Sequence, residues 1–227
     1  MSPEPLLLLH AGGVDSRMWQ PLRDELGEGV GVLAPDLGSA PVTEALAELD
    51  AHDVERAIVV GASAGGNGAL ELVTQAPERV AGLVLFAATL YDHDFSPAIL
   101  EFWAAEEALV EAGDIEGAVA LNLRAWVRDP AVAAMVETMV RDDLTRGGAG
   151  EIPELPIDLA GIRVPTLAVS GGLDFPDFAA MADRIAATVP GARRAEVPDA
   201  GHLIALERPR AAAELVQGAL SPGRAPG

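Results

Sequence analysis

The stretch Ile58-Val59-Val60-Gly61-Ala62-Ser63-Ala64-Gly65 decides the fold. Ile58–Val60 is an unbroken apolar run, and residues 65–75 that follow carry a helical pattern ending before Pro77. A run without polar alternation fits a strand covered on both faces, as in a parallel sheet. A serine at a tight turn between strand and helix has a strained backbone, and its hydroxyl projects above the sheet edge. Its neighbours two positions away on each side must be small to avoid a clash across the turn, and Gly61 and Gly65 meet that demand. The helix N-terminus beneath adds a favourable field for negative charge. The pentapeptide alone would also suit a plain glycine-rich turn. Its place between strand and helix sets it apart.

Working outward, the same alternation recurs. Leu6–Leu9, Val30–Ala34, Ala57–Val60, Val80–Phe86, Thr166–Ser170 and Arg193–Val197 read as strands. Helical patterns lie between them at 16–26, 43–49, 65–75, 178–189 and 204–220, with Pro209 marking a kink or a later start in the last. Strand–helix alternation predicts an α/β fold with a mostly parallel sheet and flanking helices. One stretch breaks the rhythm. From 91 to 144 there is no strand candidate, and three helices fit at 97–112, 115–128 and 131–144, followed by a Gly- and Pro-containing segment. These are read as a helical insertion on the sheet. The division is a core at 1–90 and 161–220, an insertion at 91–160 and a flexible tail at 221–227.

Composition narrows the function. The chain has 227 residues, half of them hydrophobic, enough for one domain with a substantial core. It carries 35 acidic and 15 basic residues, a net charge of −20. Nucleic acid and acidic membrane surfaces are therefore excluded as favoured partners. No cysteine is present, which removes disulfides, thiolate metal ligands and a thiol nucleophile. No His pair stands at ligand spacing, so no strong metal site is expected. The N-terminal apolar run Leu6–Leu9 is too short for a signal peptide or a membrane span, which makes a cytoplasmic location the default expectation.

Three further loops follow strands. They are His10-Ala11-Gly12-Gly13, Gly171-Gly172-Leu173-Asp174 and Asp199-Ala200-Gly201-His202. The C-terminal edge of an open parallel sheet is where sites form. A serine hydroxyl needs a histidine base, and the histidine needs a carboxylate to fix its tautomer. Ser63, Asp174 and His202 occur in the chain order that this arrangement takes on such sheets.

Together these loops resemble the α/β-hydrolase superfamily, nearly from end to end of the chain. His10–Gly13 is similar to its oxyanion loop, and Val14–Trp19 to the segment that follows in esterase-like and lactonase-like members. Pro35-Asp36 is similar to the turn after the next strand, Gly61–Gly65 to the nucleophile elbow, Gly171–Asp174 to the acid loop and Asp199–His202 to the histidine loop. The resemblance implies Ser63 as nucleophile, His202 as general base and acid, and Asp174 as orienting carboxylate. It also implies an oxyanion hole from the N–H groups of Gly12 and Ala64, and a helical cap at 91–160. Ala11 stands where glycine is usual. The segment 36–43 is shorter than in relatives, which implies a more open rim. The first strands of fuller members are expected to be absent.

Several residues compete for these roles. Asp92 and Asp94 follow Val80–Phe86, where some relatives carry the acid, and Asp177 lies three residues past Asp174. His52 and His93 read as surface or loop histidines, and His10 as structural. Five of the nine aromatic residues fall between 91 and 126. Trp103, Trp126, Met135 and Met139 are the candidate pocket residues, although such side chains also serve to fix helices to a core. Residues 91–160 hold four basic and fifteen acidic side chains, a net of −11. A neutral, modestly apolar small-molecule substrate is therefore expected. The reading is a cofactor-free serine hydrolase of a carboxylic ester, lactone or thioester. C–C bond hydrolysis, perhydrolysis or a lyase reaction on the same triad stays open, as does a non-catalytic receptor. The sequence leaves the oligomeric state undetermined.

Overall fold

In the computed structural model, which describes residues 4–147 and 157–220, six strands form one sheet in the order β2-β1-β3-β4-β5-β6. They are β1 (Leu6–Leu9), β2 (Val32–Leu33), β3 (Ala57–Ala62), β4 (Val80–Phe86), β5 (Thr166–Gly171) and β6 (Arg193–Val197). Every pairing among them is parallel. Both β1 and β3 are buried at every residue. Helices α1 (Gln20–Leu26), α2 (Pro41–Ala51), α3 (Ala64–Gln75), α7 (Pro176–Thr188), α8 (Ile204–Glu207) and α9 (Pro209–Leu220) accompany the sheet. Helices α4 (Pro97–Glu111), α5 (Ile115–Trp126) and α6 (Ala133–Arg146) are inserted between β4 and β5.

The differences from the sequence reading have local causes. The second strand is two residues long because it is an edge that pairs with β1 at only two positions and stops short of Pro35. Residues 16–26 divide into a 3₁₀ turn at Ser16–Trp19, capped by the Asp15 carboxylate, and α1, whose first turn holds Pro21. Helices α2 and α7 start earlier than expected, each on a proline, whose fixed φ suits the first helical turn. The last helix is two: α8 stops at Glu207 and Pro209 opens α9. Helix α5 ends at Trp126, before 128, because Val127 is extended and Asp129 precedes Pro130. Helix α6 runs on to Arg146, where Gly147 takes the left-handed conformation at φ 93°. The expected tail at 221–227 and most of the Gly- and Pro-containing segment, 148–156, lie outside the described residues.

The strand order reverses between β1 and β3, so the crevice at the C-terminal edge of the sheet opens between them. Two glycines allow the chain to turn there. A methyl group on Gly61 would strike the backbone of Gly65 and Gly66, and one on Gly65 would strike the carbonyl oxygens of Leu9 and His10. Helix α3 thus starts in direct backbone contact with the end of β1. Gly65→Ala is expected to destabilise the protein by about 1–3 kcal/mol or more, since rigid backbone must move. A urea titration showing wild-type stability for this variant would contradict the contact.

Candidate active site

Ser63 stands between β3 and α3 with φ 51° and ψ −118°, a conformation that side chains rarely adopt. Surrounding hydrogen bonds hold it there. Its N–H donates to the Phe86 carbonyl at 3.0 Å. Its own carbonyl accepts from the N–H groups of Gly66, Asn67 and Thr89 at 2.9, 3.2 and 3.1 Å. Ala87, at φ 46°, turns the chain after β4 so that Thr89 comes back beneath the serine. The Thr89 hydroxyl lies 3.5 Å from Ser63 Oγ, and the Asn67 amide donates to the Thr89 carbonyl at 3.3 Å.

His202 follows β6 and is buried. Its Nδ1 lies 2.7 Å from Asp174 Oδ2, in the loop after β5, and the Asp174 side chain is itself almost wholly buried. The Phe175 N–H donates to Asp174 Oδ1 at 2.8 Å, which fixes the carboxylate. The two loops are tied to each other. Gly172 and Leu173 donate to the carbonyls of Val197 and Ala200, each at 2.9 Å. Two aromatic rings pack against the imidazole, with ring centroids 4.5 Å away for Trp126 and 4.2 Å for Phe178. Trp126 also meets Phe102 and Phe175 edge to face.

The loop after β1 lies beside the start of α3. Ala64 opens α3, so its N–H is among the four that no helical carbonyl can take. Gly12 is exposed, and a methyl group built on it would lie 3.7 Å from the Ala64 side chain, so the two backbones are neighbours across the crevice. His10 Nε2 accepts from the Leu37 N–H at 2.8 Å and Nδ1 lies 2.8 Å from the Ala11 carbonyl, which makes the ring a brace between two loops. Asp36 accepts from the Ser16 N–H at 2.9 Å. Arg17 grips Asp15 and reaches Asp142 on α6 at 2.6 Å, tying this loop to the helical insertion. The Arg17 guanidinium holds the Asp15 carboxyl below its ordinary value, while burial pushes Asp143 up.

Rival residues lie elsewhere. Asp92 pairs with Arg184, Asp94 is exposed, and His52 is exposed against the Glu48 carbonyl. Asp177 is buried and accepts from the Ser96 N–H and hydroxyl at 2.6 and 2.7 Å, with His93 Nε2 at 3.4 Å. Of the four pocket candidates, Trp126 is the one set against the histidine. Trp103, beside Phe95, and Met135 are both exposed. Met139 is fully buried on the α6 stripe that also holds Val136 and Val140; Met135 lies one residue ahead of that stripe. Phe175 and Phe178 escaped the sequence reading, although both closely follow Asp174. Among the described residues, no group of three or more His, Asp or Glu side chains is arranged to hold a metal ion. No described helix is long and apolar enough to cross a membrane.

Comparison with known proteins agrees with this architecture. Residues 6–215 match the profile of the Alpha/beta hydrolase family, and the chain belongs to that family. It is 28% identical over 165 residues to the biotin biosynthesis bifunctional protein of Cellvibrio japonicus (strain Ueda107). That match covers 66% of this chain but only 33% of the relative, so the chain spans about a third of that protein's length. It is 27% identical to the pimeloyl-[acyl-carrier protein] methyl ester esterase of Aromatoleum aromaticum, over 96% of this chain and 98% of the relative. A solved hydrolase from Pseudomonas aeruginosa PA01 superposes with a TM-score of 0.79 at 27% identity, over 96% of this chain and 90% of the other.

Burial alone would raise the Asp177 carboxyl, but the hydrogen bonds from Ser96 outweigh it and hold the group below its ordinary value. A depressed carboxylate contributes stability that is complete above its unfolded value, ~3.9, and is lost as pH falls through the folded value. Asp177→Asn is expected to cost about 1–3 kcal/mol at neutral pH. The difference from wild type should shrink below pH ~4. Urea titrations at neutral and acid pH check this, and a gap that stays constant down to pH ~2 would contradict it.

Proposed function

We propose that the protein is a cofactor-free serine hydrolase of carboxylic esters, with lactones and thioesters as chemically equivalent acyl donors. The observation that carries this reading is the buried His202–Asp174 pair, 2.7 Å apart, on the same sheet edge as the strained Ser63. Ester cleavage is also the activity named for the full-length relative from Aromatoleum aromaticum.

The chemistry follows from the bonding. With Nδ1 bound to Asp174, His202 keeps its proton there and offers Nε2 as the base. Ser63 Oγ forms a bond to the acyl carbon as its proton passes to Nε2. The carbonyl oxygen becomes an oxyanion facing the N–H groups of Ala64 and Gly12, and the field of α3 favours that charge. Collapse expels the alkoxide, which takes the proton from Nε2. Water then attacks the acyl-enzyme, gives its proton to Nε2, and releases the carboxylic acid with Ser63 restored. Asp174 stabilises the imidazolium in both steps.

The helices between β4 and β5 act in this reading as a cap, with Trp126 beside the acyl site. Their surroundings are acidic, −11 over residues 91–160, which disfavours an anionic substrate. The substrate is a neutral, modestly apolar ester.

Ser63→Ala is expected to lower p-nitrophenyl butyrate hydrolysis by at least ~10³-fold with unchanged circular dichroism, and Asp174→Asn by a comparable factor. Full activity of the serine variant would refute the assignment. Between matched esters, the neutral one should show a kcat/KM at least ~10-fold above that of its carboxylated analogue. A preference for the carboxylated ester would overturn the substrate charge.

A further inference from the structure

Glu207 is a buried carboxylate with no task in ester cleavage itself. It closes α8, five residues after His202. Its Oε2 accepts the Gly201 N–H at 2.7 Å. Its Oε1 accepts the Arg128 N–H at 2.6 Å and, at greater length, the Asp129 N–H at 3.4 Å. A buried carboxylate is costly unless such donors satisfy it. The donors come from two places. Gly201 immediately precedes His202. Arg128 and Asp129 leave the end of α5, two and three residues after Trp126, whose ring lies against the imidazole.

The same short segment is stitched to the site twice more. Arg128 Nε donates to the carbonyl of Leu173, next to Asp174, at 3.1 Å. Arg208 donates from Nη1 to Asp129 and from Nε to Asp199, each at 2.7 Å. The histidine loop also packs directly on this segment. A methyl group on Gly201 would run into the Arg128 side chain.

We propose that Glu207 is a positioning residue that holds the His202 loop and the end of α5 as one unit. The imidazole then keeps Asp174 at one edge and Trp126 on its face. The inference rests on His202 acting as the base in the reading above. A carboxylate is required because its two oxygens accept every donor. A glutamine of the same shape would turn an NH₂ group toward either Gly201 or Arg128, leaving a buried N–H facing another donor.

Glu207→Gln tests this. The proton on His202 Nδ1, assigned by its loss in His202→Ala, is followed by NMR together with steady-state kinetics. Exchange of that proton with water is expected to speed up about tenfold or more as the loop opens locally. The kcat for p-nitrophenyl butyrate should fall about 10- to 100-fold while KM changes less than about threefold, the pattern of a displaced catalytic group. A folded variant with wild-type proton exchange and wild-type kcat would overturn the proposal, even if its Tm were lowered. Should Glu207→Gln fail to fold, amide exchange in the wild-type protein decides. Gly201 and Arg128 N–H are expected to be protected to a similar degree, because one carboxylate holds both. Exchange of either at the rate of an unstructured peptide would overturn the clamp. The proton readouts need no turnover, so a wild-type protein inert toward esters would count against the Ser63 chemistry alone.

Discussion

At the turn from β3 to α3, two backbone segments come so close that only glycine fits between them, and the rest of the site is arranged around that approach. Gly65 lies against the carbonyls of Leu9 and His10, and Gly61 against the first turn of α3. The chain can pass from strand to helix there only by forcing Ser63 to φ 51°. Such a conformation costs on the order of 1–3 kcal/mol and persists only where its surroundings over-determine it. Here they do: the Ser63 carbonyl accepts three N–H donors and its N–H is bound to Phe86. The strain also has a use. It carries the chain directly into α3, whose first residue, Ala64, lies near Gly12 in the loop after β1.

From that point the site is a matter of sheet topology. Parallel strands deliver all four loops to one edge, so residues 10–13, 63, 174 and 202 share that edge although they are far apart in the chain. Burial then does the electrostatic work. The Asp174 carboxylate is shielded from water and held by the Phe175 N–H, and the imidazole is packed against Trp126 and Phe178. In such surroundings an interaction between carboxylate and imidazole is less screened than in water. The helical insertion contributes Trp126 on one side and, through Asp142 and Arg17, a tie to the opposite loop.

Much of this was legible in the sequence because it depends on local signals. Unbroken apolar runs marked β1, β3 and β4, and small residues beside Ser63 marked the turn. Gly171–Asp174 and Asp199–His202 could be read because each follows a strand. What escaped has a different origin. The end of α5 at Trp126 is fixed partly by Pro130 and partly by Glu207 taking the N–H groups of Arg128 and Asp129, and the second of these is a contact across 79 residues. No periodicity announces such a contact. Phe175 and Phe178 sit within four residues of Asp174, yet their role depends on the turn into α7 bringing Phe178 to the histidine. Met135 and Met139 share a residue type and a helix, but one is exposed and the other fully buried, since position relative to the apolar stripe decides burial.

If Ser63 is an activated nucleophile, it will react covalently in the folded protein and not in the unfolded one. Reaction of the folded protein with a fluorophosphonate, followed by peptide mass mapping, tests it most directly. One phosphonyl group per chain, carried on Ser63, is expected, and none when the protein is first unfolded in urea. Labelling spread over other serines, or a folded protein that stays unlabelled under conditions that modify an unrelated serine esterase, would contradict it.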